Sequence, residues 1–508
     1  MSDATPARGG TARWKLPASF AVGALLNLAF APFGLWPLAI ACPALLFALI
    51  RGAPAKRAAW TGAAFAAGLF SFGTYWLYTS IHHFGQAPIW LTLILQAALV
   101  AIMALYSAAL CGLANRFWPR PGVARQWLVL PALWMLLEWL RGWVLSGFPW
   151  LALGYAFTDS PLAGWAPFLG VYGLSLIAVL LAAMLEGVWR GEFAPRTRAI
   201  AAAAALPLLL LPYGLARWSF TRPAGASFPV AVVQGAVPQD EKWLDSNREA
   251  TLVKYSRLTA EQAWGARLIV WPEAAVPMLS HELTDYLAAL RQAGRAHDAD
   301  FAIGLLHDDQ RPDGTEEYRN GLLVMSAAGD EWYYKRRLVP FGEFFPVPAF
   351  VRSWMRLMSL PYTDMTPGAE DQPALHAAGQ MLGATICYED AYGSEQLKVL
   401  RRATLLVNVT NNAWYGDSTA PHQHLQISRM RAMEAQRYLV RAANDGITAV
   451  LGPHGEVIGR LPQFQPGVLR AQVVPLSGLT PYARFGNYPV LGLAALALLL
   501  AWRRRSSA

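Results

Sequence analysis

The sequence predicts a bundle of about eight membrane-spanning helices that carries an external α/β domain. Of the 508 residues, 55% are hydrophobic and 15% are charged, against about 25% charged in an average soluble domain. Residues 1–217 contain 14 Lys or Arg and 5 Asp or Glu, and they account for the whole net charge of +9. Residues 218–508 contain 28 of each sign. This composition excludes a disordered chain, and three cysteines exclude a disulfide framework.

Apolar segments near membrane-spanning length occur eight times. A helix needs about 20 apolar residues to cross a bilayer core about 30 Å thick. Pro32, Gly34 and Pro37 indicate that the first two segments form a tight helical hairpin. The first apolar run is too long for a cleaved signal peptide, and Pro32 follows its small-residue pattern, so it predicts a permanent anchor. The eight segments are 16–34, 35–50, 58–80, 88–113, 127–145, 168–188, 199–217 and 486–502.

The connections between these segments alternate in charge. The loops around 81–87 and 141–167 contain only Arg141, whereas each connection on the other side contains three Lys or Arg. The positive-inside rule therefore places both termini in the cytoplasm and the external domain on the opposite side. The basic excess lies between apolar segments, so we expect the membrane, and no nucleic acid, to be its partner. The predicted domains are 1–217 with seven spans, 218–485 outside, and 486–508 with the last span and a basic tail.

The external domain alternates short β-rich runs with amphipathic stretches. Apolar runs such as 268–270 and 405–407 are typical of strands covered on both faces, which favours a layered α/β domain. The predicted strands are 228–234, 267–271, 301–306, 321–325, 383–388, 405–409, 448–451 and 468–474. The predicted helices are 247–264, 282–296, 393–402 and 422–443.

Three polar groups stand at or near the ends of predicted strands, where α/β folds gather their ligand sites. Glu273 ends the run Ile-Val-Trp-Pro-Glu, Lys335 follows a predicted hairpin, and Cys387 ends an apolar strand. A thiol nucleophile needs a base to form the thiolate and a cation or N–H donor to hold the oxyanion. Glu, Lys and Cys can supply these roles.

Each of these residues also has a purely structural interpretation. Cys387 is the only cysteine of the external domain and can be a small core hydrophobe. Lys335 can belong to a solvated basic run with Arg336 and Arg337, and Glu273 can cap a helix after a proline. Their separation along the chain does not establish that they lie together.

The motifs around these residues resemble the Glu–Lys–Cys triad of the nitrilase superfamily. Together with the predicted spans, the whole pattern is similar to the apolipoprotein N-acyltransferase family. The resemblance covers nearly the whole chain. It is carried by 138–142, 147–150 and 171–173 in the membrane half, by 233–235 with Gln239, Lys242 and Trp243, by 334–343, and by 383–389, 408–415 and 424–426.

The resemblance implies an αββα sandwich that transfers an acyl group in two steps. Glu273 would be the base, Cys387 the nucleophile, and Lys335 with a backbone N–H near Tyr388 the oxyanion site. A phospholipid would acylate Cys387, and the free α-amine of a diacylglyceryl-modified apolipoprotein would take the acyl group from the thioester. Glu343 and Glu389 would orient Lys335 or the amine.

The resemblance also implies a setting for the reaction. The enzyme would be a monomer in the bacterial inner membrane with its catalytic domain facing the periplasm. It would need no metal or other cofactor. His422 and His424 form a pair of metal-ligand type, but the sequence offers no third ligand, so no metal is expected.

Five residues are predicted to contact substrate. Residues 344–358 are unusually apolar for an external loop, so they predict a lid that dips into the outer leaflet. A loop packed on its own domain is the alternative. Arg141 stands three residues after Glu138, where it can pair to shape a headgroup entrance or extend outward. The substrate-contacting residues are Trp243, Phe344, Trp354, Trp414 and Arg141.

Two rival functions fit parts of the pattern. A membrane-tethered amidase of nitrilase type would release its acyl group to water, but the spans and the apolar segment after Glu343 would then lack a purpose. A transporter with an inactive nitrilase-like domain is disfavoured because the triad is complete and the spans contain few ionisable residues.

Overall fold

The computed structural model describes residues 14–191, 193–310, 314, 316–340, 342–344 and 364–506. The chain divides into two compact units. The first comprises the chain up to Trp218, the short segment Ser418–Gln426, and Phe485 onward. The second comprises Ser219–Asp417 and Ile427–Arg484.

The first unit is helical, and a helix lies within or overlaps each of the eight predicted spans. Within the described residues, three helical segments are long and apolar enough to cross a membrane: Ile89–Phe117, Pro161–Trp189 and Pro195–Leu215. The first two predicted spans contain shorter apolar helices, so the count of eight spans stays a prediction. The helices are α1 (Lys15–Leu26), α2 (Leu38–Ile50), α3 (Ala55–Gly73), α4 (Ile89–Phe117), α5 (Leu130–Arg141), α6 (Ala166–Trp189), α7 (Pro195–Leu215) and α13 (Tyr488–Ser506).

Small residues bring α1 and α3 close together. A Cβ at Gly23 would lie 1.8 Å from the Phe65 carbonyl oxygen, and one at Gly68 would lie 2.0 Å from that of Phe20. Only glycine fits at these two positions, as is common where apolar helices pack without a hydrophobic driving force between them.

In the part of the chain that the structure describes, the second unit contains two six-stranded sheets. The strand orders are β13-β2-β3-β4-β5-β6 and β12-β11-β10-β9-β8-β7, and a short β1–β14 pair stands apart. Strands β2, β3 and β4 are parallel, as are β8, β9 and β10, whereas the flanking strands are antiparallel. The strands are β1 (Thr221–Pro223), β2 (Phe228–Gln234), β3 (Leu268–Trp271), β4 (Asp300–Gln310), β5 (Glu316–Ser326), β6 (Gly329–Tyr334), β7 (Leu375–Ala377), β8 (Gln380–Ile386), β9 (Leu405–Thr410), β10 (Leu439–Ala443), β11 (Ala449–Leu451), β12 (Val457–Arg460), β13 (Gly467–Val473) and β14 (Leu476–Gly478).

Successive side chains of a strand face opposite sides of its sheet, and this alternation produces the layers of the second unit. Leu268 and Val270 join residues of the second sheet in one buried core, so the two sheets pack face to face. Ile269 faces the opposite way, into a second core with residues of α9 and α10. Ser428 of α11 (Ala420–Ala435) accepts a hydrogen bond from Arg441 of β10, which places the part of this helix that belongs to the second unit on the second sheet. The predicted αββα layering is therefore present, with helices α8 (Gln239–Lys242), α9 (Arg248–Gln262), α10 (Thr284–Ala296), α11 (Ala420–Ala435) and α12 (Pro481–Phe485).

One predicted helix of the external domain is wrong, and another is predicted too long. Residues 393–402 form only short 3₁₀ turns, at Gly393–Gln396 and Val399–Arg401. The helix predicted over 422–443 ends at Ala435, because Gln436 adopts a left-handed backbone conformation with φ 45°. The chain then enters β10, whose alanines pair with β9 as a fully buried parallel strand. Tertiary burial here outweighs the helix preference of alanine.

Candidate active site

Cys387 stands directly after β8, at the sharp turn into a 3₁₀ segment. Its φ of +55° lies in the left-handed region, which non-glycine residues adopt at a cost of about 1–3 kcal/mol. The residue is 6% exposed. The chain turns immediately after the strand, so Cys387 lies at the end of the sheet, where it still packs with the buried core between the two sheets.

Glu273 follows β3, the central strand of the other sheet. Gly304 of β4 permits the close approach, since a Cβ there would lie 2.6 Å from the Glu273 Cα. Glu273 Oε1 accepts hydrogen bonds from Lys335 Nζ at 3.0 Å and Asn320 Nδ2 at 2.7 Å, and Oε2 accepts one from the Asn411 backbone N–H at 2.9 Å. Burial alone would raise the pKa of Glu273, but the charge and hydrogen bond of Lys335 and the amide of Asn320 lower it below its ordinary value.

Lys335 lies just after β6 and is 1% exposed. Its ammonium donates to Glu273 Oε1 and, at 2.8 Å, to Glu343 Oε1. Burial alone would lower the pKa of Lys335, yet the two carboxylates hold it well above its ordinary value. The lysine therefore carries a permanent positive charge inside the site.

The thiol of Cys387 is protonated in the resting site. Burial and the neighbouring Glu273 carboxylate raise the pKa of Cys387 to about 12, although Lys335 opposes this. The arrangement thus combines an ionised base, a fixed cation and a neutral thiol. These groups can perform nucleophilic acyl transfer, with proton transfer from the thiol accompanying its attack.

Asn320 is a residue of the site that the sequence analysis missed. Its amide donates to Glu273 Oε1 at 2.7 Å and to Glu343 Oε1 at 2.9 Å, so it bridges the same two oxygens as Lys335. Its backbone carbonyl accepts a hydrogen bond from the Lys335 N–H at 2.8 Å. The signal in the sequence is weak: a single amide next to the apolar run 321–325.

Lys242 is a second buried lysine near the base. It is fully buried, and its Nζ donates to the Glu273 backbone carbonyl over 3.4 Å. Burial lowers the pKa of Lys242 to about 8, against the attraction of Glu273.

The three predicted supporting residues, Glu343, Glu389 and Tyr388, differ in whether they contact Lys335. Glu343 contacts Lys335 directly, and its Oε2 accepts the Val339 N–H at 2.7 Å. Glu389 does not contact the Lys335 ammonium. Its two oxygens accept hydrogen bonds from four donors: the N–H groups of Arg336, Arg337 and Ile386 and the hydroxyl of Tyr333. Tyr388 donates its hydroxyl to the Leu338 carbonyl at 2.9 Å. Glu389 and Tyr388 thereby tie the segment after Lys335 to the turn at Cys387.

The predicted substrate-contacting residues are distributed over both units, and their role stays a prediction. In the second unit Trp243 is 43% exposed, while Trp414 and Phe344 are half-buried. Trp354 lies outside the described residues, as does all of the predicted lid except Phe344. Arg141 belongs to the first unit.

Arg141 is buried and does not extend outward. Its guanidinium donates to the carbonyls of Phe148 at 2.9 Å and Trp150 at 2.6 Å. It lies 3.9 Å from the Glu138 carboxylate, so pairing is the correct one of the two alternatives.

Comparison with known proteins gives two adjoining family matches. Residues 22–184 match the apolipoprotein N-acyltransferase N-terminal domain, and residues 229–482 match the carbon-nitrogen hydrolase family. An apolipoprotein N-acyltransferase of Azotobacter vinelandii is 41% identical over 96% of this chain and 95% of its own length. One of Vibrio parahaemolyticus is 38% identical over 96% of both chains. Among solved structures, a carbon-nitrogen hydrolase of Helicobacter pylori matches 55% of this chain and 94% of its own, with 14% identity and a TM-score of 0.37.

Replacing Asn320 by Ala should raise the pKa of Glu273 toward its ordinary value, because the carboxylate loses one of its donors. A hydrogen bond to a charged group contributes about 1.5–3 kcal/mol, which corresponds to about one or two pKa units. An infrared titration of the carboxyl C=O band, with the Asn320→Ala/Glu273→Gln protein as the difference reference, measures the shift.

Asn247→Ala is the matched control for this titration. It removes an exposed amide that donates to the Glu241 carbonyl, and it should leave the pKa of Glu273 unchanged. Equal pKa values for Glu273 in Asn320→Ala and in the unsubstituted protein would contradict the bridging role of Asn320.

Proposed function

The chain belongs to the apolipoprotein N-acyltransferase family, and from that premise we propose how its residues perform the reaction. The protein is an acyltransferase that acylates the N-terminus of lipoproteins in the last step of their maturation. Its substrates are a phospholipid and a lipoprotein. The observation that supports the mechanism best is the buried ion pair of Glu273 and Lys335, whose charges both act on Cys387.

The first half-reaction forms a thioester on Cys387. Glu273 takes the thiol proton while the sulfur attacks an ester carbonyl of the phospholipid. Lys335 and the Tyr388 backbone N–H hold the negative charge that develops on the carbonyl oxygen. The C–O bond then breaks, and the leaving lysophospholipid alkoxide takes the proton from Glu273. The acyl group stays on sulfur, and no cofactor takes part.

The second half-reaction passes the acyl group to the lipoprotein. The neutral α-amine of the diacylglyceryl-cysteine attacks the thioester carbonyl, and the same two donors hold the oxyanion. Glu273 takes a proton from the attacking nitrogen, and the C–S bond breaks. The proton returns to the Cys387 sulfur, which restores the thiol and leaves an amide on the lipoprotein.

Glu343 keeps the oxyanion site charged. Glu273 raises the pKa of Lys335 more than Glu343 does, but the Glu343 carboxylate remains beside the ammonium when Glu273 is protonated, so we infer that it keeps Lys335 charged while Glu273 gains and loses a proton. Glu343 is in this proposal a positioning residue and not a base.

The membrane setting completes the proposal. Residues 1–217 and 486–508 would supply eight spans with both termini in the cytoplasm, and residues 218–485 would face the periplasm as a monomeric catalytic domain. The basic connections support this orientation. A membrane-bordered site admits acyl chains and limits the water that would hydrolyse a thioester.

Protein purified from its own membrane should carry a fatty-acyl thioester on Cys387, which peptide mass spectrometry detects. A diacylglyceryl peptide with a free α-amine should remove the acyl group and appear as the acylated product. Cys387→Ala should carry no acyl group and should lose turnover, because the nucleophile is absent.

Cys42→Ala and Cys111→Ala are the matched controls, since both thiols are buried in the first unit and play no part in the mechanism. Both variants should keep the Cys387 adduct and the activity. An adduct that only water discharges would identify an amidase instead. An unmodified Cys387 in protein supplied with phospholipid and no acceptor would refute the covalent mechanism.

The two half-reactions should differ in their pH dependence. Glu273 must be ionised for acylation of Cys387, and because its pKa is lowered, that rate should be flat from about pH 6 to 9. Discharge to the peptide should rise with pH through about 8, where an α-amine loses its proton. Single-turnover rates of each half-reaction, measured across this range, test the difference.

Lys242 has a pKa of about 8, in the same range as the α-amine of the acceptor. Measuring discharge to hydroxylamine distinguishes the titration of the acceptor from that of Lys242. Hydroxylamine is a much weaker base than an α-amine and loses its proton at lower pH, so its discharge rate should level off where that of the peptide still rises. If the rate of discharge to hydroxylamine, or the rate of Cys387 acylation, also rises with pH through 8, the titrating group belongs to the enzyme. That result would contradict the proposal.

A further inference from the structure

The backbone carbonyl of Cys387 has its own buried donor. Asn408 lies on β9, the parallel neighbour of β8, and its Nδ2 donates to the Cys387 carbonyl oxygen at 3.0 Å. The same nitrogen donates to Thr385 Oγ1 at 3.0 Å. Asn408 is fully buried, so both hydrogen bonds are shielded from water.

Arg441 fixes the orientation of the Asn408 side-chain amide. Arg441 of β10 donates from Nη1 to Asn408 Oδ1 at 2.6 Å, and an arginine can only donate. The oxygen of the amide must therefore face Arg441, and the nitrogen must face Cys387.

Arg441 is itself held from three sides. It is fully buried, and it donates to Ser428 Oγ at 2.8 Å and to Asn412 Oδ1 at 3.0 Å. Asp390 balances its charge at 3.5 Å, and Ser428 also donates to the Asp390 carboxylate. Breaking a buried charge pair of this kind on one side is strongly unfavourable, so the network has little freedom to rearrange.

The carbonyl of Cys387 and the N–H of Tyr388 belong to one peptide group. The group is planar and trans, so its carbonyl and its N–H point in opposite directions. Cys387 is in a left-handed conformation, where the backbone has no intrinsic preference to stay. A donor that holds the carbonyl on one side thereby aims the Tyr388 N–H to the other.

We propose that Asn408 is a positioning residue that fixes the Cys387–Tyr388 peptide plane and thereby aims the Tyr388 N–H at the oxyanion, with Arg441 and Asp390 as its buried support. The inference rests on the proposed function, in which that N–H stabilises the tetrahedral oxyanion. It assigns a purpose in the reaction to a charged network that does not contact the reacting atoms.

Asn408→Asp is the test substitution. Aspartate keeps the shape of asparagine and the bond to Arg441, but it has no N–H to give to the Cys387 carbonyl. Loss of one oxyanion donor lowers a rate by about 100-fold or more, so the single-turnover rate of Cys387 acylation should fall by about that factor. The KM for phospholipid should stay nearly constant, because the donor acts in the transition state.

Thr385→Val is the matched control. It removes the other hydrogen bond of the same Asn408 nitrogen and leaves the bond to Cys387 intact, so the acylation rate should be unchanged. Alkylation of Cys387 by iodoacetamide, and the melting temperature, should be similar in both variants and the wild type. Should Asn408→Asp fail to accumulate, Ser428→Ala loosens Arg441 instead and should lower the acylation rate by a smaller factor, again at constant KM.

Three results would overturn the inference, and a fourth would refute the proposed function on which it rests. Acylation of Asn408→Asp at the wild-type rate would show that the carbonyl needs no donor. Equal losses in Asn408→Asp and Thr385→Val that follow their melting temperatures would show a merely structural role, as would an unchanged rate in Ser428→Ala where that variant is used. Absence of any thioester in the wild type would refute the proposed function itself. The same experiment therefore distinguishes failure of the proposed function from failure of this inference.

Discussion

The ammonium of Lys335, held between the carboxylates of Glu273 and Glu343, is the interaction on which the rest of the site depends. Three buried charges within hydrogen-bond distance would be costly without further donors. Asn320 and the backbone N–H groups of Asn411 and Val339 supply them. The cluster carries one net negative charge, which helps to keep the Cys387 thiol protonated until a substrate carbonyl can share the electrons.

The face-to-face packing of the two sheets brings the groups of the site to one place. Glu273 and Cys387 follow central parallel strands of different sheets, and Asn411 follows β9. The sequence predicted this part well: apolar runs of four to six residues ending in a carboxylate and in a thiol mark buried strands and their polar ends. It could not predict that the two ends meet, since the packing of two sheets leaves no periodic trace. For a related reason the sequence assigned no role to the amides of Asn320 and Asn408, although Asn408 lies in a segment that carries the resemblance: the function of a polar residue in a strand becomes evident only once its partners are known.

The early end of the helix predicted over 422–443 has a physical cause in the tertiary structure. Residues 422–443 contain a continuous helix-like pattern, and neither Gln436 nor Arg437 breaks it by type. The break comes from tertiary structure: Arg437 is buried and donates to the carbonyls of Ala403 and Gly478, which draws the chain out of the helix and into β10. Local propensity is a weak guide where long-range hydrogen bonds of a buried arginine compete with it.

The protonation states explain how one site can serve two substrates in turn. A free thiolate would react with any electrophile that entered, whereas a thiol whose pKa is about 12 attacks only a carbonyl that already accepts the donors of the oxyanion site. In the proposed mechanism the same carboxylate would be ionised again once the acyl group is on sulfur, because its lowered pKa favours release of the proton with the lysophospholipid. The base is therefore ready for the amine without any rearrangement of the site. In that mechanism transfer rather than hydrolysis would depend on which nucleophile reaches the thioester, and exclusion of water from the site would favour the lipid-anchored amine.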